Sequence, residues 1–150
     1  MMGRVLAVDP GEKRLGIAIS DPTGTIARPL TVIKHVSRVV DAATVAQLAK
    51  EQEAVRIVIG QALDADGQLT PQAWHAARFA EAVRQQTELP VELWDESGST
   101  QAARTSRIAM GVSRKRRGGH LDQIAATVIL QTYLDARDLR DFSSSTNIEE

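Results

Sequence analysis

The stretch Val5-Leu6-Ala7-Val8-Asp9-Pro10-Gly11-Glu12-Lys13-Arg14-Leu15-Gly16-Ile17-Ala18-Ile19 constrains the fold more than any other part of the chain. An apolar run ends in one acid, a glycine-containing turn follows, and a second apolar run begins. Short apolar runs bounded by turn residues are the pattern of buried strands, so a strand, a turn and a paired second strand are expected. Asp is depleted in strands, and a buried carboxylate is costly without compensation. Asp9 therefore needs a partner. A metal ion is one candidate, and an ordinary Asp-Pro-Gly turn is the alternative that the same residues satisfy.

The rest of the chain can be arranged around this hairpin. Arg4 to Val8 and Leu15 to Ser20 are predicted as strands one and two, and Ile26 to Ile33 follows the turn Asp21-Pro22-Thr23-Gly24 as strand three. The short connections predict an antiparallel meander. Val39 to Glu53 has helical spacing, with Val39, Val40, Ala43, Ala46 and Ala49 on one face. Val55 to Gly60 is a β-branched strand after a helix, which predicts a crossover and parallel pairing with strand one. Thr70 and Pro71 suit the N-cap and first position of a helix running to about Gln86 and burying Ala73, Ala76, Ala77, Ala80 and Val83. Pro90 to Trp94 is a fifth strand, a helix from Ser99 or Thr100 to about Met110 precedes a basic loop, and Leu121 to Ala136 is an apolar last helix. Trp74 and Trp94 are expected in or at the edge of the core. The order predicts an α/β fold with a mixed five-stranded sheet, a three-strand antiparallel meander plus two parallel strands, flanked by helices.

Residues 1–137 are expected to form a single domain, with 138–150 as a polar, disordered tail. The chain has no cysteine, which removes disulfides, thiol catalysis and thiolate metal sites. No apolar run reaches membrane-spanning length and no secretory leader pattern is present, so a cytoplasmic protein without a membrane partner is expected. A net charge of -1 gives no global basic field, and aromatics at 3% argue against an extended base-stacking platform.

Chemistry is concentrated in three acids. Asp9 ends strand one, Glu96 follows strand five, and Asp122 lies in the first turn of the last helix. Parallel pairing of strands one, four and five puts Asp9 and Glu96 toward the carboxyl edge, where open α/β sheets place ligands. Taken singly, Asp122 also suits dipole stabilisation of its helix, and Glu96 a solvated loop. Together, three carboxylates suit magnesium, which takes oxygen ligands and keeps waters. Two such ions about 3.5–4 Å apart serve phosphodiester hydrolysis. Arg114-Lys115-Arg116-Arg117, between Asp122 and the preceding helix, adds cations for phosphate. His120 adjoins both. His35, His75 and His120 have no metal-ligand spacing.

These residues resemble the YqgF family of Holliday-junction-resolvase-like proteins, which in bacteria are candidate pre-16S rRNA nucleases. The similarity spans roughly Val5 to Asp135. It rests on Val8-Asp9-Pro10-Gly11-Glu12-Lys13-Arg14-Leu15-Gly16-Ile17-Ala18, Ala27-Arg28-Pro29-Leu30, Ile57-Val58-Ile59-Gly60 with Asp66-Gly67, Asp95-Glu96, and Asp122-Gln123-Ile124-Ala125-Ala126 with Ile129-Leu130-Gln131 and Tyr133-Leu134. The resemblance implies an RNase H-like fold with Asp9, Glu96 and Asp122 as catalytic, metal-holding acids. It also implies divalent-metal-dependent hydrolysis of a structured nucleic acid, connected with ribosomal RNA maturation, for which two Mg²⁺ or Mn²⁺ ions are expected. Lys13, Arg14, Arg114, Lys115, Arg116, Arg117 and His120 would then meet nucleic acid. Three positions depart from the family pattern: Ser97-Gly98 replaces an Arg and a bulky residue, Gln61-Ala62 an apolar residue and Pro, and Gly119-His120 a Lys.

The expectation is a metal-dependent endonuclease, a monomer or weak homodimer, acting on pre-rRNA. The alternatives are a resolvase of branched DNA and a nucleic-acid-binding factor of the same fold with little turnover. A phosphotransferase of the actin and sugar-kinase type ranks last, because those enzymes use two such domains.

Overall fold

In the computed structural model, which describes residues 3–61, 70–95 and 124–137, the elements are β1 (Arg4–Pro10), β2 (Arg14–Ser20), β3 (Ala27–Lys34), α1 (Arg38–Glu51), β4 (Ala54–Gln61), α2 (Pro71–Arg84) and β5 (Val91–Asp95). A last helix, α3, covers residues 124–137. The five strands form one sheet in the order β3-β2-β1-β4-β5. β2 is antiparallel to β1 and to β3, while β4 is parallel to β1 and to β5. This is the predicted meander plus two parallel strands reached through helical crossovers. The helix and basic loop expected over 99–119 lie outside the described residues. No helix among the described residues is long and apolar enough to cross a membrane.

Side-chain alternation divides the core into two layers. Leu6, Val8, Leu15, Ile17, Ile19, Ile57 and Ile59 face α1 and α2, meeting Ala42, Val45, Ala49, Ala76, Phe79, Ala80 and Val83. The other face carries Val5, Ala7, Ala18 and Val58 and is covered by Ala126, Ile129, Leu130, Tyr133 and Leu134 of α3. Large residues thus line one side of the sheet and smaller ones the other, so the long side chains of α3 fill the space that alanines leave. Full burial of each large aliphatic side chain is worth about 1.5–3 kcal/mol, which explains why β1 stays apolar until its end.

α3 is fastened at both sides of the sheet. On the β3 side, the Gln131 amide donates to the Thr25 carbonyl (3.0 Å) and its oxygen accepts from the Ala27 N–H (2.9 Å). On the β5 side, the Trp94 indole donates to Thr132 Oγ1 (3.2 Å) and packs edge-on against Tyr133, with ring centroids 5.3 Å apart. The Tyr133 hydroxyl donates to Glu92 Oε2, which also accepts from Arg56 (2.8 Å), while Arg137 donates to the Tyr133 oxygen (3.0 Å). Desolvation alone would raise the Glu92 carboxyl. The hydrogen bonds from Tyr133 and Arg56, with the charges of Arg56 and Arg137, outweigh it and hold the group below its usual range. Desolvation and the bond to Glu92 push the Tyr133 phenol up.

α1 presents a different stripe from the predicted one. It buries Asp41, Ala42, Val45 and Ala49, leaving Val39 and Val40 65% and 46% exposed. Its rotation is set at its start. Ser37 caps the helix by accepting from the Val40 N–H (3.2 Å), and Asp41 turns inward to accept from the Val36 N–H (3.0 Å) and to meet His35 Nδ1 (2.5 Å). On α2, Phe79 is buried where the alanine pattern drew attention, and Trp74, expected in or beside the core, is 55% exposed. Trp94, by contrast, packs at the core edge as expected.

The β1–β2 turn is closed by the Gly11 N–H, which donates to the Arg14 carbonyl (3.1 Å). A Cβ at Gly11 would lie 2.3 Å from that carbonyl oxygen, so the close approach of the two backbones requires glycine. Gly11→Ala is expected to cost about 1–3 kcal/mol in urea denaturation, because the backbone must move to admit the methyl group. An unchanged midpoint would show that the turn opens freely. Tyr133→Phe is expected to cost about 1 kcal/mol at neutral pH, a modest figure because the Glu92 side chain is 40% exposed. Glu92 has a depressed folded pKa, so its contribution is complete above the ordinary value of 4.5 and is lost as pH falls through the lower folded value. The stability gap between wild type and Tyr133→Phe should therefore narrow in melts below about pH 4.5.

Candidate functional site

Asp9 sits inside β1, half-buried, one residue before its end. It shares its side of the sheet with Val5 and Ala7, and so faces the α3 layer. Its antiparallel partner is Gly16, which places no side chain beside the carboxylate. An oxygen donor in such an opening suits a hard divalent cation.

The register gathers the strand ends. Val8 is paired with Ile59 and Gln61 with Asp95, so β1, β4 and β5 finish along one edge. β3, antiparallel to β2, also ends there at Lys34. α1 and α2 each begin at this edge after a strand, with Ser37 and Thr70 as their N-caps. Two helix amino termini therefore direct their partial positive charge to the edge that carries Asp9. Gln61 reinforces the arrangement by donating to the Ala73 carbonyl in the first turn of α2 (3.3 Å).

Of the residues predicted from sequence, this edge holds Asp9, Lys13 and Arg14. Lys13 is exposed in the β1–β2 turn, and Arg14 is exposed at the start of β2. Glu96, Asp122, Arg114, Lys115, Arg116, Arg117 and His120 lie outside the described residues. β5 ends at Asp95, the residue before Glu96 in the chain, and the described part of α3 begins two positions after Asp122. Among the described residues no three His, Asp or Glu side chains gather as a metal site, as expected when two of the three acids are not among them.

Sequence reasoning gave no site role to two residues that the fold brings to the same corner. Lys34 is paired directly with Arg14 across β2 and β3, and the His35 N–H donates to the Lys13 carbonyl (2.9 Å). Only the strand register, which a single chain does not print, could have found them. A groove of about 750 Å³ beside Lys50, Glu53 and Leu89 lies at the opposite, amino edge of the sheet and is remote from Asp9.

Comparison with known proteins extends the picture beyond the described residues. Residues 3–136 match the family model of RuvX, Holliday junction resolvase. A candidate pre-16S rRNA nuclease from Myxococcus xanthus is 40% identical over 133 residues, covering 89% of this chain and 88% of its own. One of the same name from Symbiobacterium thermophilum is 41% identical over 137 residues, covering 91% and 95%. Among solved structures, Thermus thermophilus RuvC in complex with a Holliday junction substrate superposes with a TM-score of 0.55 at 20% identity, covering 90% of this chain and 95% of that one. A second structure of Thermus thermophilus RuvC gives 0.53 at 16% identity, covering 89% of this chain and 95% of that one. At these identities the superpositions establish the fold, which is RNase H-like. The family match and the relatives, each spanning nearly all of both chains, show that this chain belongs to the RuvX family of Holliday junction resolvases.

Proposed function

We propose that this protein is a divalent-metal-dependent endonuclease that hydrolyses phosphodiester bonds in structured nucleic acid, with the precursor of 16S rRNA as its substrate, trimmed at the 5′ end. The observation that carries this reading is the position of Asp9. A carboxylate stands half-buried at the carboxyl edge of a central strand, in a chain whose relatives are named as candidate nucleases of that RNA.

The residues present fit a hard cation. Asp9 offers carboxylate oxygens beside a glycine, and the reading assigns Glu96 and Asp122 to complete the set around two Mg²⁺ or Mn²⁺ ions. When bound, the cations would supply Lewis acidity for phosphodiester hydrolysis. The protein's own work is then positional. Asp9, Glu96 and Asp122 orient the reacting groups for in-line displacement, and Lys13, Arg14, Arg114, Lys115, Arg116, Arg117 and His120 hold the backbone by charge. The site belongs to one domain over residues 1–137, working as a monomer or weak homodimer in the cytoplasm.

A second reading, resolution of DNA four-way junctions, is favoured by the match to the Holliday junction resolvase family. Cutting a symmetric junction takes two active sites, so that activity would require a stable dimer, which sedimentation measures.

Asp9→Asn is expected to lower cleavage of a precursor rRNA leader by at least about 100-fold while leaving the thermal midpoint within a few degrees. Equal cleavage by the two proteins would remove Asp9 from the mechanism. Chelation with EDTA should abolish cleavage, with Mg²⁺ or Mn²⁺ restoring it. Activity that persists in EDTA would point to metal-free chemistry. A matched four-way DNA junction assayed beside the RNA decides between the two substrates.

A further inference from the structure

The outward face of α2 carries a row of four exposed residues that runs from its first turn to its C-cap. Trp74, Arg78, Glu81 and Gln85 are spaced by four, three and four residues, which is the spacing of one helix face. Ala73, Ala76, Phe79, Ala80 and Val83 form the opposite, buried face. Trp74 is the conspicuous member of the row. Its side chain has a large apolar surface to bury, and it is 55% exposed. A groove of about 390 Å³ runs between the two helices, lined by Arg38 and Val39 of α1 and by Arg78, Glu81, Ala82 and Gln85 of α2. One surface thus offers both an apolar projection and a recess. The charges of the row are also open to a partner. Arg78 makes no ion pair among the described residues. Glu81 accepts from Arg84 through Oε2 (2.9 Å), an exposed contact within one helix that leaves Oε1 for another donor.

Two copies that meet on this face across a two-fold axis set α2 either parallel or antiparallel to its counterpart. In the parallel arrangement each residue meets itself, so Arg78 faces Arg78 and Glu81 faces Glu81, and both contacts repel. In the antiparallel arrangement, with the axis midway between positions 78 and 81, Arg78 of each copy faces the partner's Glu81, and Trp74 faces the partner's Gln85. Both ion pairs then form, and each indole arrives at the groove of the other copy, which Gln85 helps to line. The row is complementary to itself in that orientation alone. We propose that the outer face of the α1/α2 layer is the surface through which two copies of this chain associate, with α2 crossing antiparallel, Arg78–Glu81 pairs at the centre and Trp74 as the anchor at each end. Trp is prominent among the residues that dominate interface energies. Asp9 faces the α3 layer on the other side of the sheet, so the association leaves it open. α2 begins at the carboxyl edge, and an antiparallel crossing therefore points the two edges that carry Asp9 in opposite directions. Each copy works separately in such a dimer, which differs from the paired arrangement that one four-way junction needs.

Sedimentation equilibrium of the full chain, in EDTA and without nucleic acid, tests the association independently of the nuclease reading. The wild type is expected to dimerise reversibly, and Trp74→Ala to raise the dimer Kd at least about 30-fold. Arg78→Glu and Glu81→Arg each turn both ion pairs into like-charge contacts, and each is expected to raise it at least about 10-fold. Mixing these two charge variants in equal amounts should recover dimers with near wild-type affinity, because every 78–81 contact between unlike copies is again between opposite charges. Recovery also shows that both variants are folded. A wild type that stays monomeric up to about 100 μM would overturn the interface. So would unaltered dimerisation in Trp74→Ala and in both charge variants, which would place the contact elsewhere. Loss of dimers in the charge variants without recovery in the mixture would overturn the antiparallel pairing. None of these outcomes touches the role of Asp9, which cleavage assays decide.

Discussion

Burial of β1 on both faces is the constraint from which the rest of this structure follows. A central strand covered on one side by α1 and α2 and on the other by α3 must be apolar at every position until it leaves the layers. Val5 to Val8 meet that demand without exception. Asp9 comes at the first position where the demand relaxes, and it is half-buried. A carboxylate there can be neither fully solvated nor fully buried, and it is stabilised by whatever positive charge the edge provides.

The edge supplies positive charge in several independent ways. Parallel pairing of β1, β4 and β5 brings their carboxyl ends together, and the crossovers then have to start α1 and α2 at that edge. Helix dipoles follow from connectivity alone. The turn adds Lys13 and Arg14, and the register adds Lys34 opposite Arg14. The near-neutral total of the chain therefore coexists with three cations, Lys13, Arg14 and Lys34, at the edge that carries Asp9.

Covering the second face is a packing problem with its own solution. Ala7 and Ala18 leave room, and Leu130, Tyr133 and Leu134 of α3 fill it. Gln131 at one side and the Tyr133–Glu92–Arg56–Arg137 cluster at the other fix the helix across the sheet. Polar groups at both flanks of an apolar contact specify its position, since sliding the helix would take Tyr133 from Glu92 and leave the Ala27 amide without its acceptor. The helix so fixed is the one that follows Asp122 in the chain.

The sequence by itself determined the sheet. Unbroken apolar runs at Val5–Val8, Ile17–Ile19 and Ile57–Ile59 could be satisfied only by strands buried on both sides, short turns made the first three a meander, and helical segments made the next two parallel. It also singled out Asp9, because a charge ending such a run is conspicuous, and it offered Glu96 and Asp122 as acids placed by element order, to which resemblance to a family added the catalytic role. Tertiary structure decided what depends on rotation and register. Val39 and Val40 have the composition of a buried face, yet Ser37 and Asp41 fix the phase of α1 so that Ala42, Val45 and Ala49 point inward. Trp74 is apolar by composition and exposed by position, because the stripe of α2 that meets the sheet is set by Ala73, Ala76 and Phe79. Lys34 stands beside Arg14 only because β2 and β3 pair in one particular register. Periodicity along a chain reveals which residues share a face, but the phase of that face, and what lies across from it, are set by contacts between residues far apart in sequence.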